Sequence, residues 1–136
     1  MIEINNFTNF AVDKRFFLGV AKMILKGENR EMENLSIAFV STKEIQKINK
    51  KYRKKDRPTD ILSFERMPNF ENDFSEVIIC PEFAKGKKDY KTTLKREIIK
   101  VLIHGILHVL GYNHETSKSE EEKMFKKQEY YFSKII

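Results

Sequence analysis

The stretch from Leu94 to Leu110 constrains this chain more than any other. Ile98, Ile99, Val101, Leu102, Ile103, Ile106, Leu107, Val109 and Leu110 recur at helical spacing but cover most of the helix circumference. A surface helix carries one apolar stripe, so a helix apolar on most sides from Ile98 onward belongs in the middle of a domain. Two histidines, His104 and His108, interrupt that apolar surface, and the third, His114, follows shortly after. Imidazoles placed in a buried wall need partners, because an unsatisfied polar group there is costly.

The remaining elements are those needed to bury such a helix. Ile2, Ile4 and Phe7 suggest a short first strand, and a first helix runs from about Val12 to Lys26 and stops at Gly27. Leu35 to Val40 alternates like a half-buried strand. Ser41 with Glu44 forms a capping box for a second helix that carries Ile45, Ile48 and Tyr52 toward Lys54, and Pro58 prevents its continuation. Ile61–Phe64 and Val77–Cys80 read as two strands of a hairpin around a loop from Met67 to Phe74. Pro81 opens a short helix that the polar segment Gly86 to Thr93 ends. Ser117 and Ser119, each followed three residues later by Glu, offer caps for a last helix carrying Met124, Phe125, Tyr130 and Phe132. The order β-α-β-α-β-β-α-α-α over 136 residues predicts one domain with helices packed on a mixed sheet.

His104 and His108 are four apart, so on a helix both rings project from one face and can reach a single ion. Gly111 supplies the left-handed conformation that ends a helix, which lets the chain double back and bring His114 to the same ion. Three histidines leave a tetrahedral position for water, the arrangement of catalytic rather than structural zinc. Water bound there has a pKa near about 7, which points to hydrolysis. The spacing also matches the metzincin protease helix H-E-x-x-H-x-x-G-x-x-H, but Gly105 stands where that helix carries its glutamate. A protease reading thereby loses its general base while the metal site survives.

His104-Gly105-Ile106-Leu107-His108-Val109-Leu110-Gly111-Tyr112-Asn113-His114 resembles the signature H-G-x-L-H-L-x-G-Y-D-H of the YbeY family. The segment Asn49 to Phe64 is similar to that family's N-x-x-Y-R-x-x-D-x-P-T-D-V-L-S-F block, and Glu76 to Pro81 to its strand before the next helix. Asn113 replaces the family's Asp, which removes a carboxylate beside the third histidine. The resemblance implies an α+β fold with a small, mixed, mostly parallel four-stranded sheet and a central histidine-bearing helix. It further implies a single-strand-specific, metal-dependent endoribonuclease acting in rRNA maturation, at the 16S 3′ end, and in ribosome quality control. The cofactor so implied is one divalent ion at His104, His108 and His114, zinc before others. The partners are rRNA precursors and the ribosome or its small subunit.

Six of the eight residues from Lys50 to Arg57 are basic, and Lys85, Lys87, Lys88 and Lys91 form a second cluster, enough charge to hold several phosphates. Arg53 matches the family's arginine and, with His114, is assigned to catalysis; its guanidinium can grip two phosphate oxygens. Lys50, Lys54 and Ser63 are expected to contact substrate, Ser63 because it faces away from Leu62 and Phe64 on its strand. Thr59 and Asp60 are expected to be structural at a turn, Tyr52 and Phe64 to lie in the core, and Cys80 to be buried and inert. With one cysteine no intramolecular disulfide forms and no disulfide-linked partner is expected. No apolar run spans a membrane, the N-terminus lacks signal-peptide features, and a cytoplasmic location is expected. Two rivals remain: a metal hydrolase with another substrate, and a non-catalytic RNA- or ribosome-binding protein that uses its histidines for stability.

Overall fold

Alternating burial along four short strands builds one sheet, with apolar helices closing its two faces. The computed structural model describes residues 1–66, 73–87, 92–113 and 115–135. Its elements are β1 (Ile2–Asn6), α1 (Lys14–Gly27), β2 (Leu35–Phe39), α2 (Thr42–Arg53), β3 (Ile61–Phe64), β4 (Ser75–Ile79), α3 (Pro81–Lys87), α4 (Leu94–Val109) and α5 (Lys118–Ile135). The strand order is β1-β2-β4-β3. β1–β2 and β2–β4 pair in parallel, and β3–β4 pair antiparallel, with Ile61 opposite Ile79 and Phe64 opposite Glu76. The element order predicted a mixed sheet, and the family resemblance implied that it is mostly parallel; both are found. Most of the expected Met67–Phe74 loop, residues 67–72, lies outside the described residues.

Leu35, Ile37, Phe39, Val77 and Ile79 face α1 and α4 in the larger core. The opposite face is smaller: Leu62, Phe64, Ile78 and Cys80 pack with Val40 and with Ile45 of α2. Ser41 caps α2 by accepting from the Glu44 amide at 3.2 Å, as its capping box predicts. Thr93 does the same for α4 through the Arg96 amide.

Several expectations need correction. Phe7 lies beyond β1 and is exposed, although its amide still donates to the Phe39 carbonyl at 2.8 Å. α1 starts at Lys14, because the Asp13 side chain accepts from the Phe16 amide and sets the cap there. The left-handed residue after α1 is Asn29, with φ 57°; Gly27 is still helical and is small because the Tyr131 ring lies where its Cβ would be. β4 begins at Ser75, not Val77, and ends before Cys80. Tyr131, not Tyr130, is the buried tyrosine of α5, since it falls seven residues after buried Met124; Phe125 and Tyr130 are exposed. Tyr52, expected in the core, is 46% exposed and packs edge-on against Phe64, at the open margin of α2.

α4 crosses β3 and β4 directly. Leu102, Ile103, Ile106 and Leu107 are fully buried, each contributing about 1.5–3 kcal/mol, which outweighs the cost of about 1 kcal/mol for a glycine in mid-helix. That glycine, Gly105, is what lets the helix come so close. A Cβ there would stand 2.5 Å from Ile61 Cδ1 and 2.9 Å from Val77 Cγ1. Substituting Gly105→Ala should therefore lower stability by about 1–3 kcal/mol. Urea unfolding checks this, and an unchanged midpoint would show that Ile61 and Val77 yield without strain.

Candidate metal and RNA-cleavage site

α4 carries His104 and His108 one helical turn apart, on the side that meets Arg53 of α2 and Ser63 of β3 around a cavity. Their ring centroids are 6.1 Å apart, and their planes meet at 47°. Both rings are half-buried and line a cavity of about 550 Å³ together with Arg53, Asp60, Ser63 and Glu115. Gly105, between them in sequence, has no room for a side chain, so the metzincin glutamate has no place in this helix packing.

The chain turns back after α4 through a Schellman motif. Gly111 takes φ +107°, its amide donates to the His108 carbonyl, and the Tyr112 amide donates to the Leu107 carbonyl, each at 3.1 Å. The reversal expected at Gly111 is thus present. Asn113 then accepts from the Glu115 amide at 2.8 Å, a role in which an amide oxygen serves as well as a carboxylate. His114 itself lies outside the described residues. Among the described residues no three His, Cys, Asp or Glu side chains gather as an ion site. Two imidazoles one helical turn apart, both facing a polar cavity, nevertheless form a donor pair that suits zinc or a similar divalent ion.

Arg53, the last residue of α2, reaches across to β3. Its Nη2 donates to the Ser63 carbonyl at 2.6 Å, and its Cζ lies 5.1 Å from the Phe64 ring centroid. These contacts hold the guanidinium at the rim of the histidine cavity. Ser63, opposite Val77 in the sheet register, projects to the α4 side and lines the same cavity. Lys50 and Lys54 are not among the cavity-lining residues. Lys50 lies 3.8 Å from Asp56, while Lys54 caps α2 with φ 60°. That turn sends Lys55 and Arg57, rather than Lys54, along the cavity. Buried Asn49 shapes the loop by donating from Nδ2 to the Arg57 carbonyl at 2.9 Å. Of the second basic cluster, Lys88 and Lys91 lie outside the described residues.

Thr59 and Asp60 do serve the turn, since the Asp60 carbonyl accepts from the Cys80 amide at 2.9 Å, but both also line the cavity. Glu115 and Phe83 line the cavity as well, and sequence reasoning passed over both; Glu115 is the one of the two that brings a charge. Its only sequence signal is adjacency to His114. Cys80 is buried, with its sulfur 3.5 Å from the Thr42 hydroxyl.

A half-buried carboxylate fixes the outer end of this turn. Glu28 follows α1 and accepts from the Tyr112 hydroxyl at 2.6 Å and the Tyr131 hydroxyl at 2.5 Å, with Lys127 Nζ 3.1 Å away. Burial pushes the Glu28 carboxyl up, but the two tyrosines and Lys127 together outweigh it and hold its pKa below the usual value. Burial, then the bond to Glu28 and its negative charge, push the Tyr112 hydroxyl up to about 12. Three separate segments are tied at one point: the end of α1, the turn after α4, and α5.

The family described as Endoribonuclease YbeY matches residues 3–136. The chain belongs to the YbeY family. An Endoribonuclease YbeY from Thermotoga neapolitana is 36% identical over 128 residues, covering 86% of this chain and 84% of its own. That of Acholeplasma laidlawii is 35% identical, covering 94% and 93%, and that of Bdellovibrio bacteriovorus is 39% identical, covering 85% and 75%. The solution structure of a Thermotoga maritima protein superposes with a TM-score of 0.67 at 27% identity, over 99% of this chain and 89% of that one. The YbeY resemblance seen in the histidine and Asn49–Phe64 segments is thus matched along almost the whole chain.

Removing the Glu28 carboxylate leaves two tyrosine hydroxyls without their acceptor. Glu28→Ala should cost about 3 kcal/mol, since bonds to a charged group are worth about 1.5–3 kcal/mol. The Tyr112 pKa is raised on folding, so its contribution is complete below about pH 10 and fades as pH climbs toward about 12. Glu28 is shifted the other way, so its contribution holds above its ordinary value and fades as pH falls below it. Unfolding followed against pH in the parent and in Tyr112→Phe checks this: the variant should lose part of the alkaline decline.

Proposed function

We propose that this chain is a divalent-metal-dependent endoribonuclease of single-stranded RNA that acts on rRNA precursors, at the 3′ end of the small-subunit RNA, in contact with the ribosome. The observation that carries this reading is the meeting of Arg53 with His104 and His108 around one cavity. These groups come from α2 and α4, and a phosphodiester fits between them by chemistry, with an anion-gripping fork on one side and nitrogen donors on the other. The relatives' name, endoribonuclease, supports the same substrate class.

His104 and His108, with His114 as the third ligand, would hold the ion. When bound, it supplies Lewis-acid polarisation of a phosphoryl oxygen and acidifies a water molecule. The chain's own groups divide the remaining work. Arg53, pinned by the Ser63 carbonyl and the Phe64 ring, binds the non-bridging phosphate oxygens and stabilises charge as it builds. Lys55 and Arg57 hold flanking phosphates, and Ser63 donates from the cavity floor. The Glu115 carboxylate accepts a proton from the attacking group, the role for which Asn113 is unsuited.

The test is cleavage of a labelled single-stranded RNA by zinc-loaded protein, with metal content measured on every sample. Arg53→Ala should lower kcat/KM by about 10²–10³-fold with metal retained. Arg53→Lys should recover little of this, because an ammonium offers no planar fork. Glu115→Gln should lower kcat by about 10²-fold or more. His108→Ala should lose both metal and cleavage. Metal-stripped protein that cuts RNA as fast as loaded protein sinks the proposal. Stoichiometric metal with ribosome binding but no cleavage would favour a binding protein instead.

A further inference from the structure

Gln128 is a half-buried polar residue on the inward side of α5. It lies four residues after Met124 and three before Tyr131, and both of these are fully or almost fully buried. Its carboxamide reaches α4, where Nε2 lies 2.7 Å from Nδ1 of His104. The His104 ring is a wall shared by two cavities. One is lined by Gln128, Met124 and Phe125, and the other by Arg53, Asp60 and Glu115.

We infer that Gln128 is a positioning residue that decides which ring nitrogen of His104 carries the proton, and so whether the other nitrogen can ligate a divalent ion. The inference rests on reading His104 as a ligand. A neutral imidazole has one N–H and one lone pair. With the Gln128 amide nitrogen against Nδ1, that ring nitrogen accepts and the ring proton sits on its Nε2, where it blocks ligation. Turning the carboxamide by half a turn puts Oε1 at the same place. Nδ1 then keeps the proton and donates it to Oε1, and the ring's Nε2 presents its lone pair. A carboxamide serves both states, and ion binding selects the second. An apolar side chain at this position would serve neither, and a carboxylate would hold only the ligating tautomer.

Packing alone does not require glutamine here. Met124 and Tyr131 already seat α5 on the core, and the half-buried amide between them, which has lost part of its hydration, gains from a bonded partner. The polar group on that side is explained by the histidine it meets.

The experiment compares Gln128→Leu and Gln128→Glu with the parent in two measurements. The first is zinc affinity by competition with a chromophoric chelator. The Leu variant should bind about 10–100-fold more weakly, while the Glu variant stays within a few-fold of the parent. The second is the His104 tautomer in metal-free protein by long-range ¹⁵N–¹H NMR: Glu should hold Nδ1–H, and Leu should lose that bias. Thermal unfolding of each variant separates this from misfolding. Equal zinc affinity in Leu and parent overturns the inference, as does equal loss in Leu and Glu, which marks a packing role. If the parent binds no zinc, the proposed function fails, and the tautomer comparison still judges Gln128 by itself.

Discussion

The close seating of α4 on the sheet is the contact on which the rest of the molecule depends. Gly105 lies against Ile61 of β3 and Val77 of β4 with no space for a methyl group. The helix axis is thereby set at a distance that no other residue allows, and His104 and His108 are carried with it. Because β3 is the edge strand, a helix lying across β3 and β4 leaves the histidines at the cavity where Arg53 arrives from α2. A helix held further out would keep its apolar contacts in part but would separate the imidazoles from the guanidinium. Packing and chemistry are therefore not independent choices here. The same glycine that permits the burial removes the carboxylate a peptide-cleaving helix would carry.

Holding α4 is not sufficient, because the chain must also be held where it turns back after the helix. Turns are usually the least stable parts of a fold, with few buried contacts. Here the turn after α4 is bracketed by the Schellman bonds at Gly111 and by the Tyr112 hydroxyl on Glu28. Arg30, two residues beyond Glu28, donates to the Leu110 carbonyl at 3.3 Å and adds a second tie from the same segment. The end of α1 thus acts as an anchor for that turn, and α5 is joined to it through Tyr131 and Lys127. One carboxylate links elements that are 84 and 103 residues apart in the chain.

What could be read from the sequence follows from the range of the interactions involved. The buried helix, the histidine spacing, Gly111 and the Ser41 cap are local patterns, with each signal complete within a few residues. Element order and the mixed sheet follow from such patterns and agree with the structure. Glu28, Glu115 and Gln128 left no such trace, because each acquires meaning from a partner brought by tertiary contact. Tyr52 illustrates a second limit. It lies on the apolar phase of α2, but α2 covers only the margin of its sheet face, and periodicity does not report where a face ends. Gly27 illustrates a third: a glycine near a helix end reads as a cap, whereas the space it leaves is taken by Tyr131 from α5.

The charge of the chain has a different meaning once the cavity is described. A net charge of +6 draws polyanions from a distance but distinguishes no site on the surface. The cavity is distinguished by mixture: Arg53, Lys55 and Arg57 line it along with Asp60 and Glu115. A purely basic groove would bind phosphate and leave no group to take a proton, whereas a purely acidic one would repel the substrate. The cations come from the α2 end and its loop, and the glutamate from the turn after α4, so the two kinds of charge meet only in the folded chain. The chemistry waits on α4 being seated and the following turn being tied to Glu28. On the proposed reading Arg53 belongs to both tasks, gripping the phosphate and stabilising charge as it builds, so a substitution that loosens α4 would weaken cutting, which needs the histidines and Glu115 beside it, before it weakens affinity.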